Sequence, residues 1–302
     1  MPIFVETLVR ASMDDVWRAT QDPALHQRWD LRFSEIEYLP RESDADPVRF
    51  LYRTRIGLGL GIAGEGESVA ERDGRDGSRT SVLRFWSPDP KSLIAVGSGY
   101  WKYTPAPDGV RFSTLYDYET RFGAAGRLID RLLFRPLMAW ATAWSFDRLR
   151  LWIERGRTPE ESMRIAVVEA VARVTLAAIW IYQGLVPKLL FPDSGELAIT
   201  DAVAGGIARA PLLVALLAAA EIAVGIALLL FGRSQRLVVL STVAVVVMTL
   251  VAVVSMPVIA TTPFNAVTLT AAMAALGVVV AQTMPLVPRA AHTRWSSRRR
   301  TG

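Results

Sequence analysis

Few side chains in this 302-residue sequence are of a type that does covalent or metal chemistry. Cysteine is absent, which removes disulfides, thiolate nucleophiles, iron–sulfur clusters and Cys-ligated zinc. Only His26 and His292 are present, so neither a histidine-rich metal site nor a haem site is expected, and no cofactor is assigned. General acid–base catalysis needs a positioned pair of titratable groups, yet most carboxylates of the first half fall on the outward faces of expected strands. No catalytic set emerges, and a non-enzymatic role is favoured. His26 sits in the polar stretch 22–30, where solvation at the surface is favoured over catalysis.

The ionisable groups that stand out lie in apolar runs. Glu221 is near the middle of one, where a carboxylate is costly and faces a partner or a cavity. Arg173, about two turns into an earlier run, is a candidate partner; its own alternative is Glu169, four residues back on the same helix. Gln183 and Lys188 complete this polar set, with Lys188 expected to reach the outer headgroups. A structural ion pair that sets helix register is favoured for Glu221 over a proton or substrate site.

Aromatic residues suggest a second kind of chemistry, the holding of an apolar ligand. With strand alternation, Phe50 and Tyr52 share one face of an expected strand, Tyr116 and Tyr118 one face of another, and Phe85 lies between them in sequence. The strand between carries Ile62, Gly64, Gly66, Ser68 and Ala70 on the same side. Small residues where a core wants bulk leave volume unfilled, and dense interiors have few voids. A cavity beside Phe50, Tyr52, Phe85, Tyr116 and Tyr118 follows; a bend or bulge at the two glycines is an equal alternative. Trp29 is included in the lining set, although core packing is the favoured role for it.

The elements that carry these residues divide the chain in two. Residues 1–157 hold 23 basic and 22 acidic side chains, against 11 and 7 in the remainder. Strand-like runs at 4–10, 33–39, 48–56, 62–72, 80–86, 93–103 and 110–122 surround a helix start at Ser12, and a long helix follows over about 126–155. A helix with an apolar stripe lies across such a sheet in an α+β layer fold. The helix is apolar more broadly than one face requires, so a second stripe is expected to meet the membrane domain or headgroups. Residues 127–135 form a short basic amphipathic segment, at the bilayer surface or simply solvated.

Beyond Thr158-Pro-Glu-Glu161, a compact capping box, the apolar runs 165–190, 211–231, 237–256 and 264–284 each approach the roughly 20 residues that cross a hydrocarbon core of about 30 Å. Arg164, the Arg233/Arg236 turn and the arginine-rich end are expected inside; Asp193, Glu196, Asp201 and the turn at 257–263 are expected outside. Both termini are then cytoplasmic in a multi-pass protein of the inner (plasma) membrane. The start, Met-Pro-Ile-Phe-Val-Glu, has no basic flank or long apolar core, so no secretory signal is expected. Residues 289–302 read as a basic cytoplasmic tail that contacts anionic lipid rather than nucleic acid.

Two family resemblances follow. Residues 1–155, through the Ala11-Ser-Met-Asp-Asp-Val-Trp17 segment, Asp22-Pro…Trp29, the sheet and the final helix, resemble the helix-grip fold of the START-like (SRPBCC, polyketide cyclase-like) superfamily. That resemblance implies a sheet-and-helix cavity for a hydrophobic ligand; some members are cyclases or hydrolases. Residues 163–286 resemble the DoxX-like membrane family, through Trp180-Ile-Tyr-Gln-Gly-Leu-Val-Pro-Lys188, Glu196, Ala220-Glu-Ile-Ala-Val-Gly225 and Pro263-Phe-Asn-Ala-Val-Thr-Leu269. DoxX relatives are linked to quinol or thiosulfate oxidation as small membrane subunits.

The sequence therefore reads as a START-like α+β domain (1–157), then an all-α bundle of four transmembrane helices (158–288), then the tail. The favoured function is binding of a hydrophobic small molecule or lipid at the inner leaflet, with membrane lipids as partners. The alternative is a subunit of a quinone-linked membrane oxidoreductase with a quinone or redox partner.

Overall fold

A computed structural model describes residues 2–41, 43, 46–57, 60–205, 210–231 and 234–296. Arg233 and the arginines at 298–300, used above to orient the spans, lie outside the described residues. The chain forms two compact units, Met1–Ser162 together with Pro288–Gly302, and Met163–Val287. The first boundary falls a few residues later than the expected 157/158. The cause is local: Arg148 donates from Nε and Nη2 to the Pro159 carbonyl (2.9 and 2.6 Å), and Arg28 forks onto Glu160 (2.9 and 3.0 Å).

In the first unit β1 (Ile3–Val9) buries alternate residues, as its sequence pattern demands. Helix α1 (Met13–Gln21) starts at Ser12, whose Oγ accepts from the Asp15 N–H. Helix α2 (Pro23–Trp29) starts at Asp22 with proline in its first turn. Six strands follow: β2 (Glu35–Tyr38), β3 (Val48–Gly57), β4 (Leu60–Asp73), β5 (Arg79–Trp86), β6 (Ile94–Ala106) and β7 (Gly109–Thr120). They form an antiparallel meander that ends with β1 beside β7. The irregularity in β4 lies between Ser68 and Ala70, so the bulge is not at Gly64 or Gly66.

The expected long helix is present in three pieces: α3 (Gly123–Ile129), a π-helical turn (Asp130–Phe134) and α4 (Arg135–Arg155). Its breadth of burial has a different cause from the one anticipated. Residues 142–149 of α4 are buried on every side, and one face is covered by the chain's own C-terminal segment. The Arg289 N–H and the His292 Nδ1 both meet Asp147 Oδ2 (2.8 and 2.9 Å), and β8 (Arg294–Ser296) pairs with β1 as the edge of an eight-stranded sheet. The tail reading is thus corrected over 289–296: extended backbone next to an open edge strand completes its hydrogen bonds there.

Helix α5 (Pro159–Gln183), whose first four residues belong to the first unit and the rest to the second, runs into a π-helical stretch, Gly184–Leu190, containing Pro187. A proline lacks the N–H that a regular turn would use, and a wider turn accommodates it. The acidic connection contains a short helix, α6 (Glu196–Ala204), ahead of α7 (Ala210–Phe231), α8 (Gln235–Ser255) and α9 (Ala266–Thr283). Among the described residues four helices are long and apolar enough to cross a membrane: Pro159–Leu190, Ala210–Phe231, Gln235–Ser255 and Ala266–His292. Leu176, Trp180, Leu228, Val238, Met273 and Val280 form the centre, while Leu216, Leu230, Leu240 and Val254 remain outside. Small residues bring backbones together, as lipid-embedded packing favours. A Cβ on Gly184 would lie 2.6 Å from the Ala218 carbonyl oxygen, and one on Gly225 2.7 Å from that of Ala177.

Candidate functional site

The first unit encloses a cavity of about 420 Å³ between the inner face of the sheet and the helical segment 134–141. That volume lies within the roughly 300–1,000 Å³ of small-molecule sites. Phe50, Tyr52, Phe85 and Tyr116 line it as expected, with Ile62, Leu83 and Trp101 between them and Phe134, Leu137, Met138 and Ala141 opposite. The glycines shape it differently from the expectation of empty space. Register pairs Phe50 with Gly66 and Tyr52 with Gly64. An added Cβ would sit 2.3 Å from Phe50 Cζ and 2.2 Å from Tyr52 Cζ. Each ring thus lies down across its glycine and forms the floor, so the open volume is above the rings.

Two expected lining residues are elsewhere. Trp29 is fully buried, donates from Nε1 to the Ala19 carbonyl (2.9 Å), and packs edge-on against Phe112 and Phe146. It belongs to the core. Tyr118 donates to Asp130 Oδ1 (2.7 Å) beneath the Arg135 guanidinium, which itself binds Asp130 Oδ2 (2.7 Å). This network turns Asp130 and Arg135 inward, while Arg127 and Arg131 stay at the surface and Leu128, Ile129, Leu132 and Leu133 are each more than half exposed.

The polar end of the cavity was not anticipated. His26, read above as a solvated loop residue, is on α2, buried, and part of the cavity wall. Its Nε2 is 3.2 Å from Asp30 Oδ2, and its ring is edge-on to Trp101 and Phe33 (4.8 and 5.2 Å). Asp30, fully buried, takes Arg32 Nε on Oδ1 (2.9 Å) and Nη2 on Oδ2 (2.6 Å), and the Arg32 backbone N–H on Oδ1 (3.0 Å). Bidentate pairing of this kind is what justifies burying both charges. The i, i+4 spacing of His26 and Asp30 on a helix opened by Asp22-Pro23 was the available signal. What the sequence did not show was that α2 packs inward.

Burial and ion pairing set the electrostatics at this end. Burial lowers the His26 pKa despite Asp30 beside it. The Asp30 carboxyl is held well below the usual carboxylate range; burial opposes this, but the Arg32 charge and hydrogen bonds prevail. Burial pushes the Tyr52 hydroxyl up to about 12 and raises Tyr116 as well. Tyr116 shares a 2.8 Å hydrogen bond with Thr142 Oγ1. Among the described residues no cluster of three or more His, Asp or Glu is placed to hold a metal ion.

The second unit contains its own buried charges. Lys188, expected at the outer headgroups, is instead buried and lies 3.1 Å from Glu221 Oε2 and 3.3 Å from Glu196 Oε1. Arg173 takes its local partner, Glu169 (2.8 Å), and donates to the Leu228 and Leu229 carbonyls (3.4 Å each). The partner of Glu221 is therefore Lys188, because the π-helical stretch turns that side chain toward α7. Gln183 is half-buried at the end of α5.

An antiparallel sheet closed over by a helix, with an apolar cavity between, gives the first unit an architecture that resembles the START-like helix-grip fold, and the second unit is a helical region whose four long helices can cross a membrane. The chain is a membrane protein, and residues 177–278 match the DoxX-like family. It belongs to the family of the uncharacterised membrane protein YndG of Bacillus subtilis (strain 168), with 47% identity over 184 residues, 61% of this chain and 68% of that one. The solved structures it resembles include TTHA0849 of Thermus thermophilus (18% identity, 51% of this chain and 99% of that one, TM-score 0.38). Others are a STAR-related lipid transfer protein of Xanthomonas axonopodis (17%, 50% and 84%, 0.38) and the Zhui aromatase/cyclase of Streptomyces sp. R1128 (13%, 52% and 97%, 0.38).

Proposed function

We propose that this protein binds a hydrophobic small molecule or lipid in the cavity of its START-like unit, at the inner leaflet of the plasma membrane. The observation that carries this reading is Leu137, which lines the cavity and is also 52% exposed. It extends the exposed row Leu128, Ile129, Leu132 and Leu133, so one helical wall separates the cavity from the outside with apolar side chains on both surfaces. An exposed apolar patch of that kind marks a membrane or partner surface, and lipid is the occupant we assign.

The orientation with both termini cytoplasmic is part of the proposal. It is supported by the pairing of β8 with β1, which draws the two ends of the chain into one unit across an even number of spans. Arg164 and Arg236 flank spans at the end taken as inner, and Asp193, Glu196 and Asp201 lie in the connection taken as outer. The partners assigned are lipids and the bound molecule, with no nucleic acid. A second reading, a subunit of a quinone-linked oxidoreductase, draws support from the buried Lys188–Glu221 pair, which the partly exposed Glu196 joins at its edge, since buried charges within membrane bundles mark functional sites.

The test is mild-detergent extraction of the full chain from its native membrane, with mass spectrometry of copurifying small molecules. Wild type should retain one apolar molecule in near-stoichiometric amount, and Met138→Trp, which fills the cavity, should lose it. Identical lipid profiles for the two proteins would leave only annular lipid and defeat the binding reading. A retained quinone with a redox partner would favour the second.

A further inference from the structure

The cavity is mostly apolar, but its charge is one-sided. Among the described residues the charged groups that line it are Arg32 and Arg55. Both belong to one corner: Thr54 Oγ1 donates to the Arg32 carbonyl (2.5 Å), and the Arg55 N–H donates to Ser34 Oγ (2.9 Å). Asp30, which partners Arg32, accepts from the Arg32 backbone and side chain and from His26, so its oxygens are occupied. A guanidinium has five N–H donors, of which Asp30 engages two, while the Arg32 Cζ lies 5.3 Å from the centre of the Tyr116 ring. Arg32 is therefore a buried cation with donors in reserve, oriented by a carboxylate that has little acceptor capacity left, and Arg55 adds a second positive charge.

We infer that the ligand is an amphiphile with a single acidic head, seated on Arg32 and Arg55, and an apolar body over Phe50, Tyr52 and Phe85. Guanidinium forks bind carboxylates and phosphates through paired hydrogen bonds. A neutral head leaves the remaining Arg32 donors unanswered in a low-dielectric corner, which costs affinity. The inference rests on the cavity-binding reading above and adds the chemistry of the head.

The experiment uses the full chain in phosphatidylcholine nanodiscs, with empty nanodiscs as blank. Calorimetric titrations compare decanoate, decyl phosphate and decanol, which share one tail. Wild type is expected to bind at least one of the two acids about tenfold or more tightly than decanol, and the acid that wins identifies the source as a free acid or a phosphorylated lipid. Arg55→Gln, at an exposed position, should narrow that preference several-fold. The pair Asp30→Asn with Arg32→Gln, which removes both buried charges together, should erase it while decanol binding persists. Decanol binding as tightly as the acids, or a preference unchanged in Arg55→Gln and in the double variant, overturns the acidic head and leaves the cavity reading standing. Failure of all three probes to bind overturns both.

Discussion

Removing residues 288–302 should loosen the first unit while leaving the four spans intact. Asp147 has a fully buried side chain, and its Oδ1 holds Arg150 Nε and Nη2 (2.8 and 2.7 Å). Its Oδ2 is satisfied by the Arg289 N–H and His292, both lost on truncation. Hydrogen bonds to charged groups contribute roughly 1.5–3 kcal/mol each, and two of them give about 3–6 kcal/mol. Water reaching the uncovered carboxylate offsets part of this, so about 3 kcal/mol is the working figure. For a unit of this size 1 kcal/mol moves Tm by about 2–4 °C, which sets the expected drop at about 6–12 °C.

Tryptophan fluorescence reports the melt, and hydrogen exchange localises it. Peptides over 3–9 and 142–149 should lose protection, since β8 covers the outer edge of β1 and Asp147 lies on α4. His292→Ala alone should give about half the shift, having removed one of the two bonds. Equal exchange over 3–9 with and without residues 288–302, and a Tm change below about 2 °C, would refute the claim that this segment is part of the fold.

Four further outcomes are expected. Because the folded His26 pKa lies below its ordinary 6.5, the unfolded chain binds the extra proton first. The stability of the first unit should hold above pH 6.5 and decline as pH falls through and below it, and chemical denaturation of His26→Gln should show a weaker decline over that window. Gly64→Val places a Cβ where Tyr52 Cζ now lies, driving the ring into the cavity; a loss of about 1–3 kcal/mol with reduced ligand occupancy is expected from denaturation and mass spectrometry. Lys188→Met leaves the buried Glu221 carboxylate and the partly exposed Glu196 without their cation and should cost about 3–5 kcal/mol, with partial rescue by Glu221→Gln in the same chain, read from thermal stability in detergent. Leu132→Glu with Leu133→Glu should lower ligand uptake from liposomes without shifting Tm, because both side chains are already exposed.

Periodicity alone carried the architecture a long way. The four apolar runs are each near the length of a span, and β7 alternates Val110, Phe112, Thr114, Tyr116 and Tyr118 inward as the side-chain period requires. Those patterns are local, so they survive any arrangement of neighbours. The aromatic floor was legible for the same reason: Phe50 and Tyr52 share a strand face whatever lies above them.

What depended on distance along the chain was not legible. Arg32 and Arg55 meet at one corner only because the segment after α2 folds against β3. Lys188 finds Glu221 across 33 positions because a π-helical stretch redirects it, and the C-terminal segment reaches Asp147 from more than 140 positions away. The sequence by itself determined which segments are strands, helices and spans, because hydrophobic period and length act within one element. Only the tertiary structure decided which charges are partners, since a buried ion takes whichever opposite charge packing brings within hydrogen-bond reach.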